Sequence, residues 1–205
     1  MVAMSDRAAP APPTSLRREH SDATRNALIA QGRAAFGALG YQEAGIEAVA
    51  RAARVSRGAL YHHFRDKKAL FEAVVLQLQE EATAEVSASV SKVRDPWDQL
   101  AQGVEAYLEI CRRAEYRRIV AEDAPAVLGK ARCAEIERQH AVGFLKQKLE
   151  TLRDANRIAD LNVEILSNLL GAIIGEGAAL IAQRKSDAQV RAVLRTLLSS
   201  LRPGV

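Results

Sequence analysis

The spacing of apolar residues in the N-terminal third of the chain predicts consecutive amphipathic helices. Ser21 is suited to cap a helix that runs to Leu39, after which Gly40 supplies a termination signal. The apolar and small residues of this helix share one face: Leu28, Gly32, Ala35, Phe36 and Leu39. A second long helix is expected from Lys67 to about Val90, capped by Asp66.

Residues 46–64, between these two helices, predict a helix-turn-helix. The first short helix spans Ile46–Ala53, and its apolar face consists of Ile46, Val49, Ala50 and Ala53. Arg54, Val55 and Ser56 form the turn, and Ser56 is a natural N-cap for the second short helix. Most turns of this kind have glycine where Arg54 stands, so this residue is either strained or outside the left-handed conformation.

The second short helix separates its apolar residues from residues that can contact a ligand. At about 100° per residue, Leu60 and Phe64 lie on one side and Gly58 and His62 on the other. Arg57 lies in the first turn, where recognition helices meet base edges. The absence of a side chain at Gly58 allows a duplex to approach closely. This division is what a helix needs in order to pack on a body and enter a DNA major groove.

A specific set of residues extends this pattern on both sides of the motif. The set comprises Thr24-Arg25, Phe36, Gly40-Tyr41, Ile46, Ala50, Val55-Ser56, Gly58-Ala59-Leu60-Tyr61-His62-His63-Phe64, Asp66-Lys67 and Ala69-Leu70-Phe71. Over about residues 21–75 the chain therefore resembles the tetracycline-repressor (TetR) family of bacterial regulators. The family usually has a threonine, which caps the first motif helix and touches a phosphate, where this chain has Ala44. Gly45 is then the candidate cap.

The resemblance implies an all-α protein of about nine helices, with a three-helix DNA-binding head on a helical body. The corresponding division is a disordered tail over 1–20, a head over 21–81 with its motif at 45–64, and an effector-binding and dimerisation body over 82–205. In the tail, Arg17 and Arg18 either reach a DNA minor groove or belong to a solvated leader.

The head supplies the expected DNA contacts. Arg57 and His62 are expected to read bases, whereas Tyr61 and Lys67 are expected to contact phosphates. The complete expected set is Ser56, Arg57, Gly58, Ala59, Tyr61, His62, His63 and Lys67. The charge distribution agrees, because residues 1–70 carry a net charge of +5 and residues 71–205 a net charge of −1. A merely solvated charged surface would spread the excess evenly.

The body is predicted to be helical throughout. Asp95-Pro96-Trp97 starts a helix that runs to about Arg113, and a short helix follows over about 114–121 before a break at 122–125. A long helix is expected over about 130–155, ended by Asn156. Residues 161–183 predict a helix buried on nearly all sides; its uncharged run between Glu164 and Glu176 is too short to span a bilayer. Ser186 is suited to cap the last helix.

Two sets of body residues are candidate contacts. The last two helices are expected to form a dimer interface through Leu166, Leu170, Gly171, Ile174, Gly175, Val190, Leu194, Leu197 and Leu198. The resemblance implies an effector pocket among the middle helices, at about residues 70–160. Its candidate aromatic lining is Trp97, Tyr107, Tyr116 and Phe144, although aromatic residues at such spacing more often pack in a core. His140 is either a pocket or a surface residue. Cys111 and Cys133 are expected to be reduced, packed residues rather than redox sensors.

Together these patterns predict a cytoplasmic, homodimeric transcriptional regulator. The favoured form is a repressor that a small molecule releases from a palindromic operator, with no cofactor and no metal. An alternative on the same fold is an architectural or occlusion protein that binds DNA without an effector. A helical enzyme carrying a DNA-binding head is disfavoured because no nucleophile motif or phosphate-binding loop is present. The identity of the effector and the operator sequence are not readable from the chain.

Overall fold

The computed structural model describes residues 14–182 and 187–202, and within these ranges every regular element is a helix. The head contains α1 (Thr14–Glu43), α2 (Ile46–Ala52), α3 (Arg57–His63) and the start of α4 (Lys67–Val90). The body continues with α5 (Pro96–Arg112), α6 (Ala114–Tyr116), a π-helical segment (Arg117–Asp123), α7 (Ala124–Val127), α8 (Lys130–Gln139), α9 (Ala141–Asp154), α10 (Val163–Ala182) and α11 (Asp187–Ser199). The expected all-α class, with a helix-turn-helix head on a helical body, is confirmed.

Helix α1 begins earlier than its sequence pattern indicated. It starts at Thr14, so Ser21 lies inside the helix and the expected cap there is wrong. The helix starts directly after Pro12 and Pro13, which its interior would not tolerate, and the residues from Thr14 onward are compatible with a helix. Residues 14–20 are therefore helical rather than part of a disordered tail, whereas residues 1–13 and Ser186 lie outside the described ranges.

The end of α1 shapes the core of the head. Gly40 has a φ of 79° and interrupts the helical path, as its termination signal predicted. Leu39 is 54% exposed, so its expected place on the buried face is wrong. The reversal at Gly40 brings in Tyr41 instead, whose ring centroid lies 5.0 Å from that of Phe71. Phe71 also meets Phe36 edge to face at 5.1 Å, and both phenylalanines are completely buried.

The helix-turn-helix lies where the sequence predicted, although α2 ends at Ala52, one residue before its expected end. Arg54 adopts the left-handed conformation with a φ of 57°, which settles the alternative left open by the missing glycine. The turn is held by the N–H of Val55, which donates to the carbonyl of Ala50 at 2.9 Å. The Ser56 hydroxyl accepts from the N–H of Ala59 at 3.2 Å, and Asp66 caps α4 in the same way. Gly45 precedes α2 in an extended conformation without a side-chain cap.

The middle of the body differs from the predicted helices in two places. The chain does not break at 122–125, because the π-helical segment continues directly into α7, whose first turn contains Pro125. The expected long helix over 130–155 is divided at His140, whose φ and ψ are −107° and −80°. Beyond this break Phe144 packs directly on Gly103 of α5, where a Cβ atom would lie 2.7 Å from the phenylalanine ring. Asn156, with a φ of 53°, follows the end of α9 as predicted.

Helices α10 and α11 close the body but leave apolar surface uncovered. Helix α10 packs against α5, α9 and α11, and Gly177 allows Leu194 to approach its backbone. The expectation that α10 is buried on nearly all sides is wrong for the single chain. Six large apolar residues of the body are between 40% and 59% exposed: Leu161, Ile165, Leu169, Ile173, Val193 and Leu197. We call this set the apolar stripe.

By length and composition, Val163–Ile181 is also apolar enough to cross a membrane, with a mean hydropathy of 1.4. A single such helix is weak evidence for a membrane span, because the core helix of a helical body has the same composition. In this structure the helix, α10, packs against α5, α9 and α11, which supports its assignment as a helix of the body rather than a membrane span.

Candidate DNA-binding surface, effector cavity and dimer face

The recognition helix α3 presents its polar side away from the head. Leu60 and Phe64 are buried, as their spacing predicted. The expected DNA contacts lie on the other sides of the helix: Ser56, Arg57, Gly58, Tyr61 and His62 are exposed, and Ala59 and His63 are half-buried. A Cβ atom at Gly58 would meet no heavy atom within 4 Å, so the protein itself does not require glycine here. The surface is therefore free to meet a duplex, and its contacts with DNA stay a prediction.

Arg57 is held at the edge of this surface by two neighbours. Its guanidinium pairs with Glu47 of α2 at 3.0 Å and lies 5.7 Å from the centroid of the Tyr61 ring. Arg57 is 74% exposed, so the ion pair contributes little to stability. A guanidinium can donate to a guanine edge as well as to a carboxylate, so this exposed ion pair is compatible with the predicted base contact.

The side chain of Lys67 packs against the end of α1 rather than extending freely into solvent. Its Nζ donates to the carbonyl of Gln42 at 2.9 Å and lies 4.5 Å from the centroid of the Tyr41 ring. An ammonium carries three N–H donors, so Lys67 can hold the end of α1 and still contact a phosphate. Arg65, which was not among the expected contacts, is 83% exposed beside Asp66 and lies between the motif and α4.

His63 is the histidine of α3 that faces the head. Burial lowers its pKa below the usual value, and the neighbouring charges of His62 and Arg25 act in the same direction. His63 is therefore mainly neutral at pH 7 in the free protein.

The body contains a cavity of about 290 Å³ between five helices. Its walls come from α4, α5, α8, α9 and α10, and most of the lining side chains are apolar. Gly103, Gly171 and Gly175 belong to the wall. The volume is at the lower end of the range found for small-molecule sites. The cavity therefore suits a compact, mainly apolar molecule.

Two of the four aromatic residues expected in a pocket line this cavity. Tyr107 and Phe144 do so. Tyr116 does not: it is buried in the core, and its hydroxyl donates to Oε1 of Gln79 at 3.1 Å. Trp97 is also buried away from the cavity and lies under the guanidinium of Arg202 at 5.1 Å. These two placements correct the sequence-based pocket, since helical spacing did not distinguish the inner sides of α5 and α6.

The polar groups around the cavity are neutral or lie at its mouth. Burial, with a smaller contribution from Tyr116, raises the pKa of Tyr107 well above its usual value, so this phenol stays protonated. Burial also raises the pKa of Cys111 to about 12 and raises that of Cys133, which makes both thiols poor nucleophiles. Glu137 lines the mouth, and burial raises its pKa. His140 does not line the cavity and is half-buried at the helix break.

The π-helical segment joins the body to the head. The carboxylate of Asp123 accepts a hydrogen bond from the backbone N–H of Tyr41 at 2.7 Å. The guanidinium of Arg118 donates to the backbone carbonyls of Ala38 and Leu39, near the end of α1, at 3.3 and 3.4 Å. Turns of π-helix are rare in proteins, and those that occur are often found at functional sites. This junction is therefore a candidate for transmitting a conformational change from the body to the head.

A second junction lies higher on α1. The guanidinium of Arg33 makes two hydrogen bonds with Glu115, at 2.9 and 2.7 Å, and a third with Glu81 at 2.6 Å. These ion pairs join α1 to α4 and to the start of α6. Neither junction could be predicted from the sequence, because the paired residues are separated by 48 to 82 positions.

The residues expected at a dimer interface divide into three groups. Leu170, Ile174, Leu194 and Leu198 are buried within the single chain, so they cannot present a surface to a second copy. Leu166, Gly171 and Val190 are half-buried against their own chain. Gly175 and Leu197 are exposed. In the single chain the exposed apolar face consists of the adjacent residues of the apolar stripe, of which the expected interface included only Leu197. The dimer interface itself stays a prediction.

Comparison with known proteins agrees with this architecture in both halves of the chain. Residues 28–74 match the family described as "Bacterial regulatory proteins, tetR family", and residues 97–203 match "Tetracyclin repressor-like, C-terminal domain". A crystal structure of a TetR-family transcriptional regulator from Pectobacterium atrosepticum is 32% identical, with a TM-score of 0.78, and the match covers 91% of this chain and 97% of that chain.

Two curated proteins are similar along nearly their whole length. The HTH-type transcriptional repressor Rv1474c of Mycobacterium tuberculosis is 28% identical, and the match covers 90% of this chain and 96% of the repressor. The Transposon Tn10 TetC protein of Escherichia coli is 25% identical, with 91% and 96% covered. The recognition helix, the helical body and these matches together show that the chain belongs to the TetR family of bacterial DNA-binding transcriptional regulators.

Proposed function

We propose that this protein is a homodimeric repressor that leaves a palindromic operator when a compact, mainly apolar molecule enters the body. The observation that carries the proposal is the coexistence of an exposed recognition helix with a cavity of about 290 Å³ in the same chain. Membership of a family of bacterial regulators supports a cytoplasmic location. We assign the head to about residues 21–81, preceded by the first turns of α1, and the regulatory body to 82–205.

At the operator, α3 lies in the major groove with its N-terminal end toward the bases. Arg57 and His62 read base edges, and Tyr61 and Lys67 contact phosphates on either side. Ser56, Gly58, Ala59 and His63 complete the contact surface. Ala44 is completely buried and offers no hydroxyl, so the phosphate contact of the usual threonine is absent, and Arg65 is placed to supply a replacement.

The second copy packs against the apolar stripe. The stripe contributes residues from both α10 and α11, and two such pairs of helices form a four-helix bundle with a dry core. The dimer places two recognition helices on one face of the duplex, and they read successive major grooves when they are about 34–36 Å apart. A palindromic operator follows from this symmetry.

Release requires that the ligand prefer a body conformation with a different spacing of the heads. Helix α4 runs from the head to the cavity wall at Thr83 and Val86, so a change at the wall tilts the head directly. The same free energy acts in both directions: operator DNA must weaken ligand binding by the factor by which ligand weakens DNA binding.

The test begins with selection of bound sites from random-sequence duplexes, followed by a thermal-shift screen of small apolar molecules. A screening hit is then titrated with and without the selected palindrome. We expect weaker ligand binding in the presence of DNA and an equal loss of DNA affinity in the presence of ligand. A hit that binds equally tightly in both cases is no effector, and the architectural alternative would then be favoured. That alternative predicts a filled body, which the cavity argues against.

A further inference from the structure

The mouth of the body cavity holds a carboxylate without an ionic partner. Glu137 of α8 is the one acidic residue in the described lining of the cavity. The ion pairs of α8 among the described residues join Arg132 to Glu72 and Glu135, and none of them includes Glu137. At about 100° per residue, Arg132 and Glu135 lie about 140–160° around the helix from Glu137. Helix α8 therefore directs its ion pairs to one side and an unpaired carboxylate to the cavity.

The neighbouring helices supply no positive charge to Glu137. Burial raises the pKa values of Tyr107, Cys111 and Cys133, and the negative charge of Glu137 adds a smaller contribution at each of them. All three groups are therefore protonated and neutral at pH 7. The lining residues that come from α4, α5, α9 and α10 are all uncharged.

These surroundings make the charge of Glu137 costly. Its side chain faces the open space of the cavity and the mouth, yet the protein around it withdraws enough water to raise its pKa. A cation beside the carboxylate would stabilise the charged form and offset this cost. Arg138 is the one basic residue in the described lining, about 100° around α8 from Glu137. It would attract an anion instead, so these two side chains define the competing ligand classes.

Two aromatic rings border the same cavity, Tyr107 of α5 and Phe144 of α9. The face of an aromatic ring carries negative partial charge and attracts ammonium groups. Phe144 already shows this attraction, since Nζ of Lys148 lies 5.4 Å from the centroid of its ring. The cavity therefore combines a carboxylate, two aromatic rings and otherwise mainly apolar walls in a volume of about 290 Å³.

We infer that the effector is a compact organic cation whose ammonium group pairs with Glu137 and whose apolar body lies along Tyr107 and Phe144. This inference rests on the proposed effector site and narrows its ligand class. An uncharged apolar molecule would leave the carboxylate desolvated and unpaired, and an anion would be repelled by it. A cation with an apolar body satisfies both parts of the cavity.

The experiment compares three probes that share a phenyl ring and a short chain but differ in charge: phenethylammonium, phenethyl alcohol and hydrocinnamate. Calorimetric titration should show that phenethylammonium binds about tenfold more tightly than phenethyl alcohol, which is the lower end of the range for a hydrogen bond to a charged group. Hydrocinnamate should bind most weakly of the three.

Glu137→Gln keeps the shape of the side chain and removes its charge. It should weaken phenethylammonium binding about tenfold and leave the affinity for phenethyl alcohol unchanged, which also shows that the cavity is intact. Glu80→Gln, the same change at an exposed position of α4 outside the cavity, is the control and should bind all three probes like the unsubstituted chain. Arg138→Gln removes the basic group of the lining and should not weaken phenethylammonium binding.

Three results would overturn the inference. One is equal affinity of phenethylammonium for the Glu137→Gln and unsubstituted chains. Another is tighter binding of hydrocinnamate than of phenethylammonium, which would assign the site to anions through Arg138. The third is the absence of binding by all three probes at millimolar concentration.

Operator titration in the presence of each probe separates this inference from the proposed function. Phenethylammonium should weaken operator binding by the unsubstituted chain and much less by Glu137→Gln. A probe that binds through Glu137 and leaves operator affinity unchanged would keep the cation site and reject the ligand-released repressor. Operator release by phenethylammonium or phenethyl alcohol to the same extent in Glu137→Gln would keep the repressor and reject the cation.

Discussion

The head and the body of this protein differ in how completely their apolar residues are buried and packed. In the head, the rings of Phe36, Tyr41 and Phe71 pack against one another, and Leu39 is its one exposed large aliphatic residue among those the structure describes. The body contains a cavity and an apolar stripe. A closely packed head keeps one shape for reading DNA, whereas internal space and uncovered apolar surface are what a ligand and a second copy need. Four changes test this contrast.

The largest effect is expected from a comparison of two adjacent residues of α10, one in the exposed apolar stripe and one in the core beneath it. Leu169 is 58% exposed, so Leu169→Glu should leave a folded monomer. Operator affinity should fall by about 10²–10⁴, because two linked heads no longer bind together. Sedimentation and operator titration measure the two effects.

The matched change is Leu170→Glu on the adjacent, buried residue, which is 6% exposed. It should unfold the body rather than give a clean monomer, because it buries an unpaired charge. The same reasoning applies to Leu194, so charge at that position is not a test of the interface. A Leu169→Glu protein that stays dimeric would reject the stripe as the dimer face.

The second change compares two phenylalanines. Phe71→Ala should lower the free energy of unfolding by about 3–5 kcal/mol, because the packed head cannot collapse around the lost ring. Phe144→Ala should cost clearly less, since its ring already borders empty space. Urea denaturation at a fixed dimer concentration measures both. Equal losses would show that the body is as tightly packed as the head.

The third change tests the junction between the two regions. Asp123→Ala removes the acceptor for the N–H of Tyr41. If the π-helical segment transmits the signal, the coupling between ligand and operator should weaken by about 0.5–2 kcal/mol, while ligand affinity in the absence of DNA stays the same. Asp154→Ala, at the remote end of α9, is the control. Unchanged coupling in Asp123→Ala would leave α4 as the sole route.

The smallest expected effect compares two glycines that have open space around them. Gly58→Ala in α3 and Gly143→Ala in α9 should each stabilise the protein by about 0.5–1 kcal/mol, because glycine is a poor helix residue. Only Gly58→Ala should weaken operator binding, since its methyl group faces the duplex. Thermal unfolding and operator titration separate the two effects. Unimpaired operator binding by Gly58→Ala would show that close approach at this position is not used.

Much of the head was predictable from the sequence because its structure is local. The caps at Ser56 and Asp66 act within three residues, and the buried pair Leu60 and Phe64 is fixed by helical periodicity. The start of α1 was mispredicted because Ser21 was taken as its N-cap, whereas the helix begins directly after Pro13. The same local signals carried the resemblance to the TetR family and the prediction of the DNA-contacting surface.

Only the tertiary structure decided which side of each body helix is buried and which side is exposed. Helix α10 carries two apolar rows, and periodicity cannot tell whether Leu170 or Leu169 faces its own chain. That choice depends on α5, α9 and α11, which approach one row and leave the other exposed. The cavity, the placement of Tyr116 outside it and the contact of Asp123 with Tyr41 likewise join residues far apart in the chain. Local pattern specifies helices and caps, but the free energy of packing distant surfaces decides which residues meet.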